Sequence, residues 1–166
     1  MSVNKALPYL FVLPEDRANR QLAIGFYLQI DKSRQMQILK VSGGWTEALR
    51  LFESVHVSEM ERDENRFILL LLDFDDHLNR LEHVRAVIPE HLKDRVFVLG
   101  SRTTPEKLRQ ALRRESLDSY EKIGAALALD CRENTDKTWR HDLLQHNVPE
   151  VERLRTHIRP ILFNSI

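Results

Sequence analysis

The sequence predicts an α/β protein, a three-layer sandwich in which helices cover both faces of a mainly parallel, four-stranded sheet, followed by a helical C-terminal extension. Three observations predict this fold. Short apolar runs alternate four times with apolar stripes at helical spacing over residues 8–113. One of these runs, Phe67 to Leu72, contains no polar residue, as expected of a strand that is covered on both faces. Only helical patterns follow, so we expect residues 114–166 to pack on the 8–113 core within a single domain.

Two strand–helix units are predicted before residue 60. Aromatic and branched residues at 9–13 predict a strand that ends at Pro14, and apolar side chains at helical spacing predict a helix over 17–30. A shorter strand is predicted over 36–41, followed by a turn at Gly43 and Gly44. The helix after this turn is predicted from its apolar stripe, which consists of Trp45, Ala48, Leu49, Phe52 and Val55.

The third and fourth units include the central strand of the sheet. A charged loop is predicted over 60–66, before the strand that begins at Phe67. The fourth strand is predicted over 95–99 and ends at Gly100, after which Thr104 caps a helix with Pro105 at its first position. Between these strands, a helix that ends at Pro89 is predicted from the apolar positions Leu78, Leu81, Val84 and Ile88.

The C-terminal third of the chain shows helical patterns alone. Asp118 is predicted to begin a helix, because Glu121 three residues later completes a capping-box pattern. A short helix is predicted around Trp139, which is a candidate anchor of the core. The last helix is predicted to begin near Pro149 and to end at Pro160.

The amino-acid composition limits which binding partners and which cellular compartment we expect. The 166 residues include 25 Lys and Arg against 25 Asp and Glu, so a formal net charge of +0 supplies no overall attraction to nucleic acid or to an anionic membrane. Nucleic-acid binding would then depend on a local patch or on a partner protein. Cys131 is the only cysteine, and no apolar run reaches the ~20 residues of a membrane span. We therefore expect a cytoplasmic protein without membrane association, and an oligomer is compatible with the sequence.

Carboxylates follow two of the predicted strands. Asp73, Asp75 and Asp76 come directly after the central strand, and Glu15 and Asp16 follow the first one. Ligands bind at the carboxyl ends of strands in open α/β sheets, and carboxylate oxygens suit Mg²⁺, which keeps several waters for a phosphate substrate. We therefore predict a Mg²⁺ or Mn²⁺ site formed by Glu15, Asp73, Asp75 and Asp76, if the two strands are neighbours, with phosphodiester chemistry as its use. Alternatively, Asp75 or Asp76 simply caps the following helix.

Other residues near the same sheet edge are candidates for binding a substrate phosphate. Gly43 and Gly44 can turn backbone N–H groups toward an anion, although a plain strand-to-helix turn explains the pair equally well. Four polar side chains can contact a phosphate or can instead remain on the surface or pair with acids, namely Arg17, Arg20, Ser101 and Arg102.

The acid pattern resembles that of TOPRIM domains, which occur in topoisomerases, primases and nucleases of the overcoming-lysogenization-defect type. A Glu follows the first strand and Asp73-Phe74-Asp75 follows the third, which implies a TOPRIM-like or Rossmann-like sheet over roughly residues 8–113. The resemblance implies that Glu15, Asp73 and Asp75 are catalytic, with Glu15 as general acid or base and both Asp residues on Mg²⁺. It also implies a nuclease or nuclease subunit, with an ATPase as partner in the members that are linked to phage defence. Unlike the usual pattern, no Gly follows Glu15 or the Asp-Phe-Asp triplet.

The same residues resemble a second family, the phosphoacceptor receiver domains of two-component signalling. In that resemblance Glu15 and Asp16 hold Mg²⁺, and Asp73 accepts the phosphoryl group. No fifth strand with a lysine is found, because residues 119–129 show a helical pattern. Two functions therefore remain open: a Mg²⁺-dependent phosphodiester enzyme acting on nucleic acid, or a non-catalytic regulatory module with a receiver-like or a metal- and nucleotide-binding acidic pocket.

Overall fold

The computed structural model describes residues 2–77 and 79–165. Its core is a four-stranded sheet in which all strands are parallel, in the order β2-β1-β3-β4. The predicted three-layer α/β sandwich is therefore confirmed, and the apolar run at Phe67 forms an interior strand. The strands are Tyr9–Pro14 (β1), Met36–Ile38 (β2), Arg66–Leu71 (β3) and Val96–Leu99 (β4).

Helices cover both faces of this sheet. Side chains alternate along β1, so that Leu10 and Val12 face α1 and the C-terminal helices, whereas Phe11 and Leu13 face the helices between the second and fourth strands. In chain order the helices are Arg17–Tyr27 (α1), Trp45–Leu51 (α2), Val57–Arg62 (α3), Asn79–Val87 (α4), Pro105–Leu112 (α5), Tyr120–Glu133 (α6), Val148–His157 (α7) and Arg159–Leu162 (α8).

The helical segment that begins at Trp45 is longer than predicted. After α2 the chain continues through a π-helical turn, Phe52–His56, into α3, so the loop predicted over 60–66 is confined to residues 63–65 and its first three residues are helical. Met60 is fully buried against the sheet, while its charged neighbours Glu61 and Arg62 stay exposed. The charged residues around Met60 led to the prediction of a loop, although Met60 itself packs in the core.

Two predictions for the C-terminal helices are wrong. Ser119 rather than Asp118 caps α6, because the Ser119 hydroxyl oxygen accepts the N–H of Lys122 at 3.2 Å and Asp118 instead pairs with the Lys122 ammonium at 2.8 Å. The segment around Trp139 forms turns, because the backbone N–H groups of residues 138 and 139 donate to the buried carboxylate of Asp130. Trp139 itself is buried, as predicted.

The last predicted helix begins close to its predicted start, at Val148, but it ends at His157, and Pro160 lies in the first turn of α8 instead of ending a helix. Thr104 caps α5 with Pro105 at its first position, as predicted. The helix after the central strand begins at Asn79, and Leu78, which the sequence placed in it, lies outside the described residues. No helix among the described residues is long and apolar enough to cross a membrane.

The backbones of α1 and α6 are in direct contact where the two helices cross. A Cβ atom at Gly124 would lie 1.9 Å from the carbonyl oxygen of Leu22, and one at Gly25 would lie 2.0 Å from that of Glu121. Any side chain larger than a hydrogen atom at either position would therefore push the helices apart. The two glycines allow α6 to pack against α1, the helix whose first turn carries part of the candidate site.

The free edge of β4 is covered by the C-terminal segment. The side-chain amide of Asn147 forms two hydrogen bonds with the backbone of Gly100, at 2.9 and 3.2 Å. The N–H of Arg102 donates to the carbonyl of Leu143 at 2.9 Å. These hydrogen bonds hold the C-terminal segment beside the residues that directly follow β4.

Candidate functional site

The carboxyl ends of β1 and β3 lie side by side because these strands are neighbours in the sheet. Pro14 is level with Leu71, and the N–H of Glu15 donates to the Leu71 carbonyl at 2.9 Å. The acids that follow the two strands therefore meet at one edge. The condition on which the predicted metal site depended is met.

Three carboxylates and one amide form a group at this edge, which we call the acid cluster: Glu15, Asp16, Asn19 and Asp73. A Glu15 carboxylate oxygen accepts the backbone N–H of Asp73 at 2.6 Å. The side-chain amide of Asn19 donates to the carboxylates of Asp16 and Asp73, in each case at 3.0 Å. Asp16 also caps α1, because the same oxygen accepts the Asn19 N–H at 2.9 Å. Asn19 is fully buried, so its amide holds together acids from two different strands.

Burial is the main influence on the protonation of these acids. It raises the pKa of Asp73 from 3.8 to about 8, and repulsion from Asp16, Glu15 and Glu106 acts in the same direction. Burial also raises the pKa of Glu15, against the opposing effect of the hydrogen bond from the Asp73 N–H. Asp73 is therefore mainly protonated at neutral pH, and a cation bound at the acid cluster would displace that proton.

Asp75 and Asp76 are placed differently from Asp73. Both are exposed and have a left-handed backbone, with φ of 49° and 60°. Their carboxylates lie 3.8 Å from the guanidinium of Arg80 and 4.0 Å from that of Arg102. Over residues 2–77 and 79–165, no three His, Cys, Asp or Glu side chains are grouped so as to hold a metal ion. The predicted set of four carboxylates is thus split, with Asp73 beside Glu15 and the other two paired with Arg80 and Arg102.

Arg80 connects the loop after β3 to the helix after the glycine turn. Its guanidinium donates to the Asp73 carbonyl at 3.2 Å and lies over the Trp45 ring, 5.0 Å from the ring centroid. The backbone N–H of Trp45 lies close enough to Glu15 to lower the pKa of that carboxyl, which burial raises more strongly. A cation–π stack of this kind fixes a guanidinium plane beside the acid cluster.

The glycine turn belongs to the same edge of the sheet. Gly43 donates its N–H to the carbonyl of Glu15 at 2.9 Å, so this group is already bonded within the fold. Gly43 and Gly44 have φ of 93° and 146°, a backbone conformation that favours glycine. A Cβ at either position would meet nothing within 4 Å, so the strain alone explains the residue type.

Within the described residues, the side chains of the other predicted phosphate-binding residues form no hydrogen bond or ion pair with the acid cluster. Ser101 is buried after β4, and its hydroxyl donates to the carbonyl of Thr104 at 3.4 Å. Arg17 and Arg20 are exposed on the first turns of α1. The two arginine side chains therefore face solvent, whereas Ser101 is part of the loop structure.

Four residues near the acid cluster are missed by the sequence analysis, namely Asn19, Arg80, Glu106 and Tyr120. Asn19 carries a usable signal, because it lies one helical turn before Leu22 on the apolar face of α1. Glu106 and Tyr120 lie near the cluster only through the packing of α5 and α6, and Glu106 adds to the burial that raises the pKa of Tyr120. The sequence pattern around these two residues is that of ordinary first helical turns.

The stability of the protein is predicted to fall as pH rises through the range in which Asp73 titrates. Because the folded-state pKa of Asp73 is raised from 3.8 to about 8, the folded protein holds more protons than the unfolded chain between these values. The protonated Asp73 carboxyl makes its full contribution to the free energy of unfolding below pH ~4. This contribution decreases as pH rises and is lost above pH ~8. We expect Asp73→Asn, which cannot ionise, to be more stable than wild type at pH 9 by on the order of 3 kcal/mol.

Chemical denaturation at pH 5, 7 and 9 measures this effect. The exposed Asp94, which precedes β4 at the opposite edge of the sheet, supplies the matched control Asp94→Asn. A constant difference between Asp73→Asn and wild type over this range would show that Asp73 ionises as an ordinary surface acid.

Comparison of the chain with protein-family models, with curated proteins and with solved structures finds no match.

Proposed function

We propose that the acid cluster binds Mg²⁺ or Mn²⁺ and that the protein is a metal-dependent phosphodiester enzyme, a nuclease or nuclease subunit acting on nucleic acid. The observation that carries the proposal is the contact of Glu15 with the Asp73 backbone, which places two carboxylates at the carboxyl ends of adjacent parallel strands. Ligands of open α/β sheets bind at this edge.

The residues present suit a hard divalent cation. Mg²⁺ is commonly held by one or two carboxylates together with waters and substrate phosphates, so Glu15 and Asp73 suffice as its protein ligands. The buried Asp73 carboxyl has a raised pKa because its charge is uncompensated, which is the condition that a bound cation relieves. When bound, the ion would neutralise phosphate charge and assist the activation of water or a hydroxyl group.

The other side chains of the edge support binding and proton transfer. Burial raises the pKa of Glu15 above its ordinary value, and its carboxyl lies at the cluster, where it can accept or release a proton. The exposed guanidinium groups of Arg17 and Arg20 can attract a phosphate above the cluster. The formal net charge of +0 favours a partner protein that brings the nucleic acid, and the TOPRIM resemblance suggests an ATPase. We place the protein in the cytoplasm, since its one cysteine is buried and unpaired.

A cleavage assay tests this function. The protein is incubated with plasmid, single-stranded DNA and RNA in Mg²⁺ or Mn²⁺, beside Asp73→Asn, Glu15→Gln and the control Asp94→Asn. We expect cleavage by wild type and the control, and a loss of about 100-fold or more in the two cluster variants, because each removes a metal ligand. Cleavage that survives in Asp73→Asn would place the active site elsewhere.

A receiver-like regulatory module is the second candidate, and the strand order favours it. The order β2-β1-β3-β4 is that of a flavodoxin-like sheet without its fifth strand, and only one Asp of the loop after β3 lies at the acid cluster. In this function an Asp73 oxygen attacks the phosphorus of a small phosphodonor such as acetyl phosphate, and acetate leaves. Mass spectrometry after incubation with acetyl phosphate and Mg²⁺ distinguishes the candidates, since a phosphoryl adduct on Asp73 is expected only for the receiver-like module.

A further inference from the structure

A groove beside the acid cluster has a lining suited to a planar ring. It has a volume of about 220 Å³ and is lined by Trp45, His77, Asn79, Arg80 and His83. This volume exceeds the ~150 Å³ of an engineered cavity that encloses benzene, so one heteroaromatic ring system fits. The lining residues that the structure describes supply an indole, two imidazoles, a guanidinium and an amide, so both aromatic faces and hydrogen-bonding groups are available to a flat ligand.

The walls of the groove are held in place before any ligand binds. Arg80 lies over the Trp45 ring at 5.0 Å from its centroid, and its guanidinium is bonded to the Asp73 carbonyl at 3.2 Å. His83 meets the Trp45 ring edge to face, with centroids 5.7 Å apart and an interplanar angle of 83°. A fixed guanidinium plane beside imidazole rings is a surface on which nucleic-acid bases stack.

Arg80 joins the groove to the acid cluster. Its guanidinium donates to the carbonyl of Asp73 at 3.2 Å, and Trp45 follows the glycine turn, in which the N–H of Gly43 donates to the carbonyl of Glu15 at 2.9 Å. A ligand with its ring in the groove would therefore extend its charged part toward the carboxylates. Carboxylates without a bound cation repel a phosphate. The groove can therefore bind the ring in the absence of a cation, whereas the phosphate requires a divalent cation at the acid cluster.

We infer that this groove binds the base of a nucleotide unit whose phosphate lies at the acid cluster. The position of the phosphate rests on the proposed function, because it requires a cation at the acid cluster. Binding of the base in the groove does not depend on that function. The substrate class is thereby narrowed to a free nucleotide or the nucleotide of a single strand, because a base within a duplex does not expose its ring face.

Indole N–H resonances of the full-length protein test the base half. The chain has two tryptophans, and the buried Trp139 serves as the internal reference for Trp45. In EDTA, adenosine is expected to shift the Trp45 signal in a saturable manner and to leave that of Trp139 unchanged. Affinity should fall about fivefold or more in Arg80→Gln and about threefold in His83→Ala, as expected when a stacking surface is removed.

A variant with the same charge change separates stacking from general electrostatics. Arg62 is exposed on α3, where it pairs only with Glu59 among the described residues, and Arg62→Gln should bind adenosine as wild type does. Arg80 also supports the Asp73 loop, whereas His83 is exposed and its side chain forms no hydrogen bond to residues 2–77 or 79–165, so loss in His83→Ala reports the groove itself. No saturable shift of Trp45, or equal loss in Arg62→Gln and Arg80→Gln, would overturn the inference.

The phosphate half is tested with AMP and ribose 5-phosphate. Mg²⁺ should tighten AMP binding at least about threefold and leave adenosine binding unchanged, because only AMP offers a phosphate to a bound cation. If adenosine binds but Mg²⁺ has no effect on AMP, the groove stands and the proposed metal function fails. If ribose 5-phosphate binds as tightly as AMP in Mg²⁺, the base makes no contribution and the groove is rejected while the metal function stands.

Discussion

Gly124→Ala is expected to lower the free energy of unfolding by at least about 3 kcal/mol, which corresponds to a decrease in Tm of roughly 10 °C in a chain of this length. The added Cβ would lie 1.9 Å from the carbonyl oxygen of Leu22 and 2.9 Å from the backbone nitrogen of Phe26. Both atoms belong to the backbone of α1, so the contact cannot be relieved by a change of side-chain rotamer. The helices must separate, which disturbs the first turn of α1 and the acid cluster with it.

Helix propensity alone predicts the opposite sign for this substitution. Alanine in a helix interior is more favourable than glycine by roughly 0.5–1 kcal/mol, so without the backbone contact the variant would be stabilised. Gly43→Ala is the matched control, because its Cβ meets nothing within 4 Å and its cost of about 1 kcal/mol comes from the positive φ alone. Thermal unfolding followed by circular dichroism measures both, and a Tm of Gly124→Ala equal to or above wild type would refute the close crossing of α1 and α6.

The second large effect is expected for metal binding by variants of the acid cluster. Asp73→Asn and Glu15→Gln should each weaken Mn²⁺ binding by about 100-fold or more, because each replaces a charged oxygen ligand with a neutral amide. Free Mn²⁺ measured by electron paramagnetic resonance gives the affinity directly and requires no substrate or partner protein. Asp94→Asn should bind as wild type does, and equal affinities in all four proteins would place the ion outside the cluster.

Much of the fold follows from local patterns in the sequence. The uninterrupted apolar run from Phe67 predicted an interior strand, and Pro14 and Gly100 marked strand ends because neither continues a ladder easily. The helix start at Thr104 and Pro105 was also predictable, since cap and first-turn chemistry are local. The burial of Met60 could not be predicted, because a single apolar residue among charged neighbours gives no recognisable apolar pattern.

The candidate site was only half predictable from the sequence. Glu15 and Asp73 were identified because acids at strand ends meet when strands are parallel neighbours, although the strand order itself is decided by packing. The sequence analysis placed Asp73, Asp75 and Asp76 together in one predicted metal site. Asp75 and Asp76 have a left-handed backbone, so the side-chain alternation of an extended strand does not continue past Asp73. Their carboxylates pair with Arg80 and Arg102 instead of joining Glu15. The pairing of Asp73 with Asn19 required the position of α1 over the sheet, which no local pattern contains.

The central claim is that Asp73 is a buried, protonated carboxyl whose proton is displaced by a divalent cation. Calorimetric titration of the protein with Mg²⁺ at pH 7, in two buffers of different ionisation enthalpy, counts the protons released on binding. With the pKa of Asp73 at about 8, close to one proton should be released per ion at pH 7, almost none at pH 9.5, and almost none in Asp73→Asn at either pH. Failure to bind Mg²⁺, or binding without proton release at pH 7, would contradict this account of the site.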